Sequence, residues 1–168
     1  NLVGGVVGGS VIRGKLKVGE EVAIKPVLIE DKFVELRTKI REIRREEKIV
    51  DEATCGGLVS LQTSLDPSLA KSDKLVGCVV GKGKLPETIY EFEASYNLFE
   101  NYKLKSRDRL LITCRNSRSS GELVAINSEV ARIKLSNPIC ADIGSKITYS
   151  KLVDGRWRLI GWGKILKF

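Results

Sequence analysis

Residues 35–52 read Glu35-Leu36-Arg37-Thr38-Lys39-Ile40-Arg41-Glu42-Ile43-Arg44-Arg45-Glu46-Glu47-Lys48-Ile49-Val50-Asp51-Glu52, and their reading decides the fold class. As a helix, the stretch would carry charged stripes four apart, Arg41 with Arg45 and Glu42 with Glu46. Its apolar residues, Ile40, Ile43, Ile49 and Val50, make a poor helical face. As strands, residues 39–43 run in one direction, a charged turn falls at 45–48, and a second strand returns. The strand reading is preferred, and it fits the rest of the chain.

Val and Ile number 31 of 168 residues, against 7 Ala, 1 Gln and no Met, a bias toward strands. Sixteen glycines fall mostly between short apolar runs, as turn punctuation. Further strands are expected at 6–7, 11–12, 22–24, 58–61 and 75–80, then at 89–96, 109–114, 122–126, 129–135, 146–150 and 157–165. Alternation is clearest at Val130, Arg132 and Lys134 against Ala131, Ile133 and Leu135. Gly81-Lys82-Gly83-Lys84-Leu85-Pro86 reads as a linker. The expected organisation is all-β: two antiparallel β-barrels, at 1–84 and 85–168. The absence of Met and the start at Asn1 suggest a piece of a longer polypeptide.

Composition excludes several chemistries. With no His there is no catalytic triad of the usual kind and no His-ligated metal. Cys55, Cys78, Cys114 and Cys140 form no CxxC, so they are read as reduced core residues and not as a zinc or redox site. Glu20-Glu21 and Glu46-Glu47 would point to opposite faces of a strand and make poor acid/base pairs. Gly9-Ser10-Val11-Ile12-Arg13-Gly14-Lys15 satisfies G-x-x-x-x-G-K, but Leu16 stands where Ser or Thr should hold magnesium. It is read as a hairpin, with Gly14 and Gly19 turning the chain and Leu16 and Val18 pointing inward. No metal or catalytic residue is expected. No apolar run reaches 18 residues and no leader is visible, so a cytoplasmic home without membrane contact is expected.

The net charge is +8. Lys103, Lys105, Arg107 and Arg109 alternate, which on an extended segment would set four cations on one face, with Arg115 and Arg118 close behind. Such a face suits RNA phosphates and gives salt-dependent binding. A solvated loop and edge strand would look the same. In Trp157-Arg158-Leu159-Ile160-Gly161-Trp162-Gly163, Trp157 is expected in a barrel core, and the two glycines allow close backbone approach.

The run from Gly4-Gly5-Val6 through Gly14-Lys15-Leu16-Lys17-Val18-Gly19-Glu20 resembles the opening of the second domain of translational GTPases. Residues 38–43 and 51–59 look like that domain's strand and return strand. Gly56-Gly57, Leu65-Asp66-Pro67-Ser68-Leu69, residues 71–77, Leu85-Pro86-Glu87, Asn137-Pro138-Ile139-Cys140 and the Trp157-to-Gly163 run together resemble the gamma subunit of archaeal and eukaryotic translation initiation factor 2. The segment 98–110 is shorter than usual for that family. The resemblance implies domains two and three of that subunit, with the GTPase domain absent. GTP and magnesium would then belong to the absent domain, no cofactor to this chain, and the chain would be no enzyme.

The same resemblance implies the partners. The alpha subunit would dock on the second domain, at the loop 26–36 (Pro26, Val27, Leu28, Ile29) or at Lys71-Ser72-Asp73. Initiator methionyl-tRNA would be carried to the small ribosomal subunit, with Gly56 and Gly57 facing the aminoacyl end; a plain tight turn explains those glycines equally. The beta subunit would bind only through the absent domain. Two other readings stay open: the barrels of an elongation-factor-Tu-like GTPase, or an unrelated basic β-barrel RNA-binding module.

Overall fold

The computed structural model describes residues 4–168, which divide into two compact units, one ending at Leu85 and the other running Pro86–Phe168. Nearly everything is strand. The contested stretch forms β-structure, because Thr38, Ile40 and Ile43 bury on one side while charged neighbours remain outside.

The first unit contains β1 (Val6–Ser10), β2 (Lys15–Lys17), β3 (Glu21–Ile29), β4 (Lys32–Arg45), β5 (Lys48–Val50), β6 (Glu52–Thr54), β7 (Leu58–Thr63), a single helical turn α1 (Pro67–Ala70) and β8 (Val79–Gly81). One curled sheet runs β1-β7-β4-β3-β8, with β5 paired to β4, and β2 and β6 form a separate ribbon. Glu46 and Glu47 are the turn between β4 and β5, with Arg45 opposite Lys48. Two clusters fill this unit. Leu16, Val22, Ile40, Ile43, Ala53, Val59 and Leu61 make the larger one. Ile24, Val27 and Leu65 make the smaller one, with Ile29, Leu36, Leu69 and Leu75 packed against it.

The second unit contains β9 (Glu87–Ser95), β10 (Asn97–Leu98), β11 (Arg109–Cys114), β12 (Ser117–Ile126), β13 (Val130–Ala141), β14 (Lys146–Val153) and β15 (Arg156–Lys167). The order β15-β14-β11-β12-β13-β9 closes into a barrel, since β9 also pairs with β15 through Ala94 and Ile165. Alternation drives it: Ala131, Ile133 and Leu135 are buried, and Arg132 and Lys134 are exposed. Gly161 and Gly163 are required here by close approach. A Cβ on Gly161 would lie 2.3 Å from the Asn97 carbonyl oxygen, and one on Gly163 only 1.8 Å from that of Ser95.

Several local expectations are corrected. Residues 11–12 are not a strand; β1 ends at Ser10 and Val11 only accepts a hydrogen bond from the Gly56 amide. Residues 75–77 are turns, Cys78 is irregular and the strand starts at Val79, because Ser72 and Asp73 adopt positive φ and consecutive turns follow. The helical turn α1 was not expected; Asp66 caps it by accepting from the Ser68 amide, and Pro67 opens it. That bond holds the Asp66 carboxyl below its ordinary range. Val18 is exposed, not inward, whereas Leu16 is buried. Cys114 and Cys140 are core residues, but Cys78 is half-buried and Cys55 exposed; none of the four is in a disulfide.

Candidate functional site

In the first unit the return from β6 to β7 passes through Gly56 and Gly57, with φ of +90° and +67°. Such angles favour glycine over any residue with a Cβ. The Arg45 guanidinium donates to the Gly56 carbonyl oxygen at 2.6 Å. It also fills the space beside Gly57: a Cβ there would meet Arg45 Nη2 at 2.9 Å. Arg45 was expected in a charged turn; it is instead the last residue of β4, opposite Val59. Sequence spacing carries no signal for the contact between positions 45 and 56, which only the strand register creates.

Around this contact lies an open groove lined by Gly8, Arg44, Arg45, Glu46 and residues 57–60. Leu58 is 71 % exposed within it. Arg44 is paired to Glu42 at 2.6 Å, so Arg45 is the guanidinium turned to the double glycine. The groove offers apolar surface, a cation and backbone from glycine, a combination suited to a ligand that carries both an apolar group and an acceptor oxygen.

The stretch 26–36 is not a loop. Residues 26–29 belong to β3 and residues 32–36 to β4, and only Glu30 and Asp31 form the turn, both at positive φ. The reason is a continuing apolar alternation across the pair, Val27 facing Val34 and Leu28 facing Phe33. Pro26 and Val27 are buried, Ile29 is half-buried, and Leu28 and Val34 are exposed. Lys71, Ser72 and Asp73 are exposed in the turns after α1. The two segments meet through the smaller core: Val27, Ile29 and Leu36 of the hairpin pack in the same cluster as Leu69 and Leu75, which flank the turn. Cys78 Sγ also donates to the Pro26 carbonyl oxygen at 3.0 Å.

In the second unit the six cations do not share one face. Tyr102 and Leu104 pack against the barrel core, which leaves Lys103 and Lys105 exposed between them and beyond. The chain then turns at Ser106 and Arg107, whose φ is +68°. Arg109 opens β11 opposite Glu122. Arg115 sits in the turn at the far end of β11, 3.8 Å from Asp142, and Arg118 starts back along β12. A six-residue strand is roughly 20 Å long, so the cluster is two groups at opposite ends of β11. Among the described residues, no carboxylate pairs with Lys103, Lys105, Arg107 or Arg109. The nearby Asp108 is occupied by Lys151 at 2.8 Å.

Trp157 is not in the core. It is 46 % exposed, and Trp162 is 45 % exposed. Both stand on the outer face of β15, Trp157 opposite Leu152 and Trp162 opposite Thr148, with an irregularity between them at Tyr149 and Ser150. The inward positions are taken instead by Ile160, Gly161 and Gly163.

The Gly9-to-Lys15 run consists of the end of β1, a bend and the first residue of β2, with no helix after it. It lacks the helix N-terminus that would cradle a nucleotide's phosphates. Glu20, beyond β2, accepts from Lys82 Nζ at 2.7 Å and from the Lys17 amide at 2.8 Å; these bonds lower its pKa.

Comparison with known proteins covers both units. Residues 88–165 match the family described as Initiation factor eIF2 gamma, C terminal, and residues 4–81 match the one described as Elongation factor Tu domain 2. The chain is 39% identical over 177 residues to Translation initiation factor 2 subunit gamma of Archaeoglobus fulgidus, covering 98% of this chain and 42% of that protein. It is 39% identical over 180 residues to the subunit of the same name from Thermococcus onnurineus, and 38% to that from Pyrococcus furiosus, covering 44% of each. The chain thus spans less than half the length of these relatives.

Proposed function

The chain belongs to the gamma-subunit family of translation initiation factor 2, and we propose that it docks the alpha subunit and helps hold initiator methionyl-tRNA for delivery to the small ribosomal subunit. The observation that carries the docking reading is the shared core of the hairpin 26–36 and the turn at Lys71, Ser72 and Asp73. A partner seated on one would meet the other on a rigid support. Leu28 and Val34 supply exposed apolar anchors, and Lys71 and Asp73 a polar rim.

For the tRNA, the groove at Arg45, Gly56 and Gly57 is the proposed seat of the aminoacyl end. The Arg45 guanidinium can turn from the Gly56 carbonyl to an ester or phosphate oxygen. Lys103, Lys105, Arg107 and Arg109 are the proposed RNA phosphate contacts, with Arg115 and Arg118 a separate, weaker group. Both matched stretches are domains other than the GTPase domain of a translational GTPase. GTP hydrolysis, its magnesium and the contact with the beta subunit are accordingly assigned elsewhere than these two units. A cytoplasmic setting follows from the proposed role.

The test is calorimetric titration of this chain with the C-terminal part of the alpha subunit at two salt concentrations. Saturable binding is expected, weakened by Leu28→Asp and by Asp73→Lys. Absence of heat and of co-elution would refute docking on these units.

A further inference from the structure

The connection from β10 to β11 presents a serine in an unusual setting. Ser106 is exposed at a turn, between Lys105 and Arg107. Lys103 stands three residues before it and Arg109 three after. All four cations are exposed, and none is in an ion pair among the described residues. The turn is pinned beneath the serine: the Lys105 amide donates to Asp108 Oδ2 at 2.8 Å, and the Asp108 amide donates to the Lys105 carbonyl oxygen at 3.0 Å. Asp108 is further held by Lys151, so the one carboxylate of the turn does not offset the cations around the hydroxyl. Ser106 Oγ has no hydrogen-bond partner among the described residues.

We infer that Ser106 is an acceptor site for a serine kinase directed to basic residues. Such an enzyme reads its substrate through carboxylates that meet flanking lysines and arginines, and it needs a hydroxyl free to approach the nucleotide. Other serines fit less well. Ser117 and Ser119 are buried. Ser120 is bonded to Ser136 Oγ at 2.9 Å within a strand. Ser72 is exposed but is followed directly by Asp73. The step is phosphoryl transfer from magnesium-bound ATP. Ser106 Oγ forms a bond to the γ-phosphorus as the bond to the β-phosphate oxygen breaks. ADP leaves, and the hydroxyl proton passes to the carboxylate base of the kinase.

The product adds a charge of about −1.5 to −2 among four cations. Its oxygens would draw Lys103, Lys105, Arg107 and Arg109 inward through charge-assisted bonds. Cations so engaged would be withdrawn from RNA phosphates and the salt slope of RNA binding would fall; that consequence rests on the RNA reading above, and the acceptor assignment does not.

The test incubates the whole chain with MgATP and the catalytic domain of a basic-directed serine kinase, and locates phosphate by mass spectrometry. Phosphate is expected on Ser106, lost from that site in Ser106→Ala, and acquired at least about tenfold more slowly in Lys103→Glu/Lys105→Glu. Circular dichroism establishes that both variants fold. No phosphate on Ser106, or an unchanged rate in the double variant, would overturn the inference. Phosphorylation of Ser106 that left the salt dependence of RNA binding unchanged would sustain the acceptor site and refute the RNA reading alone.

Discussion

Replacing Gly163 with alanine tests how the barrel of the second unit is closed. The added methyl would lie 1.8 Å from the Ser95 carbonyl oxygen and 3.1 Å from the Tyr149 hydroxyl. Those two atoms bond each other at 2.7 Å. Ser95 ends β9, and its hydroxyl accepts from the Lys164 amide at 3.0 Å, so backbone on both sides of the closure must move. Overpacking a tight core costs about 1–3 kcal/mol. Leaving a buried hydroxyl or carbonyl without its partner costs about 1–3 kcal/mol more. The expected loss is therefore about 4 kcal/mol, a large share of the roughly 5–15 kcal/mol that holds a domain together.

Both tryptophans of the chain, Trp157 and Trp162, lie in this unit, so their fluorescence reports its unfolding alone. With a urea dependence of about 1–3 kcal/mol per molar, the fluorescence midpoint should fall by more than about 1 M. Gly144→Ala is the control, because its added methyl meets nothing and only its φ of +83° is strained. An unchanged midpoint for Gly163→Ala would refute the argument that backbone contact at this glycine holds the barrel shut.

Further outcomes follow from other sites. Burial pushes the Tyr149 hydroxyl pKa well above its ordinary value. The folded state therefore keeps a proton the unfolded chain loses: stability is level below about pH 10 and declines above it by about 1.4 kcal/mol per pH unit, a slope that Tyr149→Phe should reduce in alkaline urea titrations. Gly57→Ala should lower the melting temperature of the first unit by an amount matching about 1 kcal/mol, from its positive φ, and displace Arg45; circular dichroism melting checks it. Charge reversal at Lys103, Lys105 and Arg107 should weaken RNA binding and reduce its salt slope by about 2–3, measured by anisotropy titration at several salt concentrations. Burial also raises the Cys114 thiol pKa, so a thiol reagent near neutral pH should modify exposed Cys55 first and Cys114 only on unfolding.

The all-β architecture was legible because period-two alternation survives heavy charging, as at Ala131, Ile133 and Leu135 against Arg132 and Lys134; Ile40 and Ile43, three apart, share the buried face only through a register shift after Ile40. The family was legible from ordered short motifs, which constrain turns more than surfaces. Other features depend on pairing that local sequence does not encode. The extension of the strands through residues 26–36 came from cross-strand partners, Val27 with Val34 and Leu28 with Phe33. Aromatic bulk usually fills cores, which is why the sequence alone points Trp157 inward. A register irregularity and two glycines instead gave the interior to Ile160 and left both indoles outside. The cation run likewise looked continuous until the turn at Ser106 and Arg107 broke it. Arg45 against Gly57 could be found only once the register of β4 on β7 was known.

Closure of the barrel by β9 and β15 has a kinetic consequence. Ala94 and Ile165, which pair at that joint, are roughly seventy residues apart in the chain. During synthesis at about 5–20 residues per second, β9 would wait on the order of 4–14 s for its second neighbour to be made. Throughout that interval one of its edges is open to any extended segment nearby, including a nascent copy on the same message. Because Lys167 lies opposite Glu93, six residues into β9, a circular permutant that joined residue 168 to residue 86 through a flexible linker of about eight residues and opened the chain at Arg115 and Asn116 would make β15 and β9 consecutive. It should form its native fluorescence faster than the original order and aggregate less during refolding.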